Sequence, residues 1–188
     1  MIVHHRSHWV AVAAALSLAL LAFMIPFLGV GIVPAIVAET ETMLRRLDVV
    51  VASVHSKLRM ERFPMTMRML RAVQSPHVDI LGHCTGRLLE KRPPSTFDAD
   101  YVFAACKQFG TAVEINCRPE RLDPPRELLD VAIDYGCWFS IDTDAHATGQ
   151  LEWQPFGCDR AAERDVPIDK VINTMSAADL LAWTSAGG

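Results

Sequence analysis

The stretch "FSIDTDAHATG" (residues 139–149) decides the fold. With Trp138 it opens as an apolar run, WFSI, and then stops abruptly in three polar groups: Asp142, Asp144 and His146. A short run of this kind, bounded by polar residues and glycine, reads as a strand. The same pattern recurs upstream. "LDVVVASVH" (47–55) is a valine-rich strand ending at His55, "HVDILGH" (77–83) ends at His83, and "TAVEIN" (111–116) ends with Glu114 and Asn116. Helical patterns lie between them. "PMTMRMLRAVQS" (64–75) has apolar residues at helical spacing. "DADYVFAACKQFG" (98–110) starts with an aspartate suited to capping and ends with glycine, and "PPRELLDVAIDYG" (124–136) has proline at its start and glycine at its end. After Gly149, "LEWQPFGCDRAAER", "PIDKVIN" and "SAADLLAW" read as short helices.

Strands alternating with helices predict an α/β fold with a parallel sheet, because parallel neighbours need crossovers. In open α/β sheets and in (β/α) barrels the chemistry collects at the C-terminal ends of the strands. His55, His83, Glu114 with Asn116, and Asp142 with Asp144 and His146 therefore converge on one face. A lone histidine at a strand end is as a rule a hydrogen-bonded structural residue. Three at corresponding positions, joined by an Asp-x-His, read instead as a metal site. Asp-x-His puts both side chains on one face of an extended segment, since side chains alternate with period two. Imidazole and carboxylate suit zinc, manganese or iron. Asp142 shares that face and reads as a supporting partner. Glu114 lies inside its strand, and a buried carboxylate needs a partner, an arginine or a metal.

Arginines flank these strand ends. In "GHCTGR" (82–87) two glycines permit a tight loop, and Arg87 is a candidate phosphate clamp by its planar fork, with a salt bridge to Glu90 or Asp98 as the alternative. In "EINCRPERLD" (114–123), one of Arg118 and Arg121 is expected to reach the site mouth and the other to be solvated. Cys84 and Cys117 sit near ligand positions, although a free cysteine is more commonly a small buried hydrophobe. His77 opens its strand, at the end opposite His83, and reads as structural.

Composition bounds the rest. A chain of 188 residues can form one sizeable core. A net charge of −4 leaves no basic footprint for nucleic acid. Five cysteines, widely spaced and without a C-x-x-C, fit a reducing compartment rather than a disulfide framework. No nucleophile elbow, P-loop or dinucleotide fingerprint is present. The hydrophobic excess lies at residues 9–38, which hold no Asp, Glu, Lys or Arg. That length is enough for a membrane span, with an uncleaved anchor and a signal peptide as the two membrane-directed readings. The polar head, with His4, His5 and His8, reads as unstructured.

"VVASVHS", "HVDILGHCTGRLL", "AVEINCRPERLD" and "IDTDAHATGQLEW" resemble the second half of the PHP (polymerase and histidinol phosphatase) domain. They are most similar to the version attached to bacterial family X DNA polymerases and to stand-alone phosphoesterases. The resemblance runs from Leu47 to Asn173. It implies a distorted (β/α)7 barrel, of which this chain carries a part, and hydrolysis of phosphate esters on a cluster of divalent metal ions. It implies metal-ligand roles for His55, His83, Asp144 and His146, a cytoplasmic location, and a small phosphorylated substrate or nucleotide. Catalytic roles are expected for Asp144, His146 and Arg87, and substrate contacts for Arg87 and Arg121.

The departures matter as much. Such domains open with a strand ending in His-x-His and carry a bridging glutamate in G-x-E. Here "HHRSH" (4–8) and "AETETMLRR" (38–46) match neither. Two units follow: an apolar N-terminal segment at 1–38, read as a helix, and a truncated PHP domain at 39–188. The junction falls inside what should be one domain, which favours a displaced gene start over a native membrane anchor. The leading expectation is a metal-dependent phosphoesterase with impaired activity. The rival is a non-catalytic remnant serving as a binding or membrane-tethered module.

Overall fold

The computed structural model describes residues 41–186. The readings placed on the apolar segment and on His4, His5 and His8 lie outside the described residues, as do residues 38–40 of "AETETMLRR". Among the described residues no helix is long and apolar enough to cross a membrane.

Four strands form one sheet, β1 (Val51–Ala52), β2 (Ile80–Leu81), β3 (Ala112–Asn116) and β4 (Phe139–Asp142), in the order β1-β2-β3-β4. Every neighbouring pair is parallel. The crossovers are α1 (Arg62–Val73), α2 (Ala99–Phe109) and α3 (Arg126–Asp134). The 3-10 turn Thr148–Trp153 leads into α4 (Gln154–Glu163), and two further 3-10 turns precede α5 (Ala177–Ser185). The alternation read from the sequence is thus present as an α/β sheet. The strands are shorter than the valine runs suggest. β2, for one, breaks at His83, whose φ of +23° is incompatible with extended pairing.

Sequential order with right-handed crossovers places the connecting helices on one side of the sheet. The two apolar clusters follow from that. On the helix side, Leu81, Val113 and Phe139 share a register row and pack with Met65, Met69, Phe103 and Leu129, all buried. Each such side chain, fully buried, stabilises the fold by roughly 1.5–3 kcal/mol. On the other side Ile80 and Ala112 share a row and pack with Val51, Trp138, Ile172, Met175, Leu180 and Trp183. The C-terminal segment therefore plugs the foot of the second face. Above that plug the same face turns polar with Glu114, Asn116 and Ser140, all buried.

Helix termini hold to the sequence reading in part. Gly110 ends α2 in the left-handed conformation at φ +73°. Asp98 sits at the N-cap of α2 but makes no side-chain cap. Its carboxylate accepts from Arg62 Nη2 at 2.8 Å, a charged partner that outcompetes the helix amides. All five cysteines are free, and Cys84, Cys106, Cys117 and Cys137 are buried, in keeping with the small-hydrophobe reading.

Helix α4 approaches β3 and β4 closely through Gly157. A Cβ there would stand 2.3 Å from Cys117 Sγ and 2.7 Å from Ile141 Cγ2. Gly157→Ala is expected to destabilise the protein by about 1–3 kcal/mol through overpacking, read as a lower urea midpoint at unchanged slope.

Candidate functional site at the strand ends

The site is built around Glu114, in the middle of β3 and 3% exposed. Alternation along β3 turns it away from the helices, since Val113 and Ile115 face them. Its Oε2 accepts from the His83 backbone N–H and lies 3.1 Å from His83 Nδ1. Its Oε1 accepts from Asn116 Nδ2 at 3.0 Å. The protein partners of the buried carboxylate are a histidine and an asparagine, not the arginine read from sequence. Gly82 makes this geometry available. A Cβ at that position would meet Val51 Cγ1 at 2.8 Å and Glu114 Oε2 at 3.5 Å.

His83 is 6% exposed. In the neutral tautomer that donates Nδ1–H to the facing carboxylate, the lone pair stands on Nε2. That atom is buried and has no hydrogen-bond partner. The His55 ring lies edge-on to it, with centroids 5.1 Å apart, and His55 Nε2 is 2.6 Å from Ser53 Oγ. His55 as a residue is exposed. Partial desolvation of its ring lowers its pKa below the usual histidine value, and neighbouring His83 and Arg121 push the same way.

Beyond Ile141 the expected alternation breaks. Asp144 has φ +52°, so it and His146 no longer project from one extended face. Asp144 turns onto the arginine loop: its Oδ2 accepts from Arg121 Nε at 3.1 Å and lies 3.9 Å from Arg118 Nη1. His146 is exposed, and its Nδ1 lies 2.8 Å from the Asp144 carbonyl oxygen. Asp142 stays at the end of β4, accepting from Ser140 Oγ at 2.5 Å. Burial, reinforced by the nearby Glu114 carboxylate, pushes its pKa up to about 6.

Both loop arginines reach Asp144, so neither is merely solvated. Arg118 also pairs with Glu120 at 3.1 Å and lies over the Trp153 ring at 5.7 Å. Arg121 is 12% exposed along its side chain, and its Nη1 is buried without a partner. Arg87 pairs with neither Glu90 nor Asp98 by any bond described. Its Nε donates to the Arg121 carbonyl at 2.8 Å and its Nη2 to the Leu122 carbonyl, so the guanidinium clamps the loop that carries Arg121.

Two further residues hold that loop. Asp123 is fully buried and accepts from Thr85 Oγ1 at 2.6 Å and Thr85 N–H at 3.1 Å. Arg160, from α4, donates to the carbonyls of Asn116, Asp123 and Pro124. An aspartate wedged between leucine and proline is a weak sequence signal. Arg160 gives none, because its role depends on how α4 lies over the loop.

The donors brought together amount to no more than one edge of a metal centre. The orphaned His83 Nε2, beside a second imidazole held towards its neutral form, is chemically suited to a divalent cation. Asp144 does not complete the set, since its carboxylate is engaged by guanidinium. Among the described residues no three His, Cys, Asp or Glu side chains converge closely enough to hold a metal ion.

No family model matches the chain. Over 143 residues it is 32% identical to the DNA polymerase/3'-5' exonuclease PolX of Bacillus subtilis, a match that covers 76% of this chain and 25% of that protein. It is 25% identical over 144 residues to a probable phosphatase of Caldicellulosiruptor bescii, covering 71% of this chain and 56% of the relative. A probable phosphatase of Caldanaerobacter subterraneus subsp. tengcongensis is 33% identical over 81 residues. The chain thus spans less than two thirds of the length of these relatives. Their names suggest the same PHP-like family as the motifs do.

Asp123→Ala removes the acceptor of the buried Thr85 N–H, Thr85 Oγ1 and Cys84 Sγ, and one of the two acceptors near the Arg87 N–H. The expected cost is about 3 kcal/mol, measured by urea denaturation.

Proposed function

We propose that this chain is a metal-dependent phosphoesterase of the PHP type, hydrolysing phosphate esters of a small phosphorylated substrate or nucleotide. The four-strand sheet is then one part of a distorted (β/α)7 barrel. The observation that carries the reading is the buried, unpartnered His83 Nε2, on a ring whose centroid lies 5.1 Å from that of His55. Relatives named as phosphatases and as an exonuclease support it.

His55, His83, Asp144 and His146 are the proposed ligands of zinc, manganese or iron. When bound, a divalent cation supplies Lewis-acid polarisation of phosphoryl oxygens and a water of lowered pKa. Glu114 fixes the tautomer of His83 and orients the ring. Arg121 and Arg118 neutralise charge on the phosphate and align it. Arg87 acts through the loop it clamps, by setting where Arg121 stands. Asp144 would have to leave Arg121 to act as a ligand together with His146.

The second reading is a phosphate-binding module without turnover. It is favoured by the absence, among the described residues, of three converging donors.

Elemental analysis of the purified 188-residue protein, alongside the His83→Ala/Asp144→Ala double variant, decides between them. The phosphoesterase reading expects near-stoichiometric metal and hydrolysis of a chromogenic phosphomonoester or phosphodiester in the parent, with both lost in the variant. Unchanged metal content and hydrolysis in the variant would falsify the site. A parent without metal or turnover leaves the binding module. In a metal-loaded protein, Glu114→Gln is expected to weaken metal affinity by about 10–100-fold, as removal of an orienting partner does.

A further inference from the structure

Two groups of exposed apolar side chains differ in the charge around them. The first lies on α1 and α2. Phe63 and Tyr101 are 74% and 68% exposed, and with Met67 and Leu70 they line a groove of about 490 Å3. Phe63, Met67 and Leu70 follow one another at helical spacing, so they form one stripe of α1. An adjoining groove of about 620 Å3 shares Phe63 and Met67 and is edged by Lys57, Arg68 and Arg71. Residues 57–71 hold five basic side chains against one acid, Glu61, so this face is positive in a chain of net charge −4. Arg62 is answered by Asp98, and Arg68 donates to the Ser56 carbonyl at 2.7 Å. Lys57 and Arg71 are exposed and make no ion pair among the described residues. The second group lies on the 3-10 turn before α4 and on the start of that helix. Leu151 and Phe156 are 61% and 47% exposed, with Glu152 and Asp159 exposed beside them. Glu152 precedes Phe156 by four residues and Asp159 follows it by three, which puts both acids on its side of the helix. Neither makes an ion pair among the described residues. The other charged groups of α4 are answered within the chain, Arg160 by loop carbonyls and Glu163 by Arg126.

We propose that the α1–α2 groove of one copy of the chain takes the α4 face of a second copy. Phe156 enters between Phe63 and Tyr101, where aromatic rings pack edge to face, and lies over Met67 and Leu70. The flexible thioether of Met67 lets the groove adapt to it. Glu152 and Asp159 then meet the basic rim of Lys57 and Arg71. The charges also decide which faces pair. Groove against groove sets base on base, and α4 against α4 sets acid on acid, so only unlike faces fit. α1 leaves the edge strand β1 and α4 follows the edge strand β4, which places the two faces at opposite ends of the helix layer. A contact between unlike faces leaves one of each kind free on every pair, so copies add head to tail. The rim pairs are exposed and therefore weaken with salt, while the buried aromatic contact does not.

Analytical ultracentrifugation of the full chain is the test. Between about 1 and 100 μM, the weak end of protein–protein affinity, the mass of the parent is expected to rise with concentration past that of a dimer. Phe63→Glu destroys the groove and Phe156→Lys destroys the α4 face. Each variant alone is expected to stay monomeric, its association weakened about tenfold or more. Mixed in equal amounts, the two are expected to form a dimer and nothing larger, because each keeps the face that the other lacks. Both positions are exposed, where substitutions cost the fold little, and far-UV circular dichroism checks this. Should either variant unfold, Tyr101→Glu or Leu151→Lys replaces it. A parent that stays monomeric throughout overturns the proposal and leaves the groove to an acidic partner of another kind. Association that survives both variants, as contacts through residues 9–38 would, overturns it as well, and so does a mixture that fails to pair.

Discussion

A single buried carboxylate organises the strand-end face. Glu114 holds the backbone and ring of His83 on one side and Asn116 on the other. Because it lies inside a strand rather than on a loop, its position is set by the register of β3 between β2 and β4. The apolar rows beneath it fix that register, since a shift of one residue would turn Val113 and Ile115 out of the helix-side core. Hydrophobic packing on one face thus determines the placement of an ionisable group on the other.

The sheet's topology gives the two faces different work. One is sealed by α1 to α4 against Met65, Phe103, Leu129 and Phe139. The other is apolar only at its foot, where Trp138 and Trp183 meet at 6.0 Å, and becomes polar above. In a face of low exposure, a donor or lone pair without a protein partner calls for an ordered water or a ligand. His83 Nε2 and Arg121 Nη1 are two such demands, of opposite character.

Much of this was legible in the sequence, and the limits have physical causes. Strand and helix order followed from periodicity, and the convergence of His55, His83 and Glu114 followed from parallel order alone. Asp144 and His146 were placed on a shared face by extending the period of two past Ile141. The positive φ at Asp144 ends that extension, and no local propensity marks where a strand gives way to a turn held by distant arginines. Arg87 shows a second limit. Its type and loop suggested an anion clamp, but what it binds is the carbonyl oxygens of a loop 34 and 35 residues away in sequence. Long-range choices of this kind depend on which acceptor the fold brings nearest.

The double clamp on the 117–125 loop carries a thermodynamic implication. Arg87 donates to the Arg121 and Leu122 carbonyls, Arg160 to those of Asp123 and Pro124, and Asp123 anchors the loop from within. A loop fixed by its own backbone carbonyls has already lost its conformational freedom when the chain folds. Ordering entropy that a mobile cationic loop would lose on meeting its ligand, about 0.5–1.5 kcal/mol for each immobilised side chain, is here charged to folding instead. Arg121 therefore stands on a backbone with little left to order.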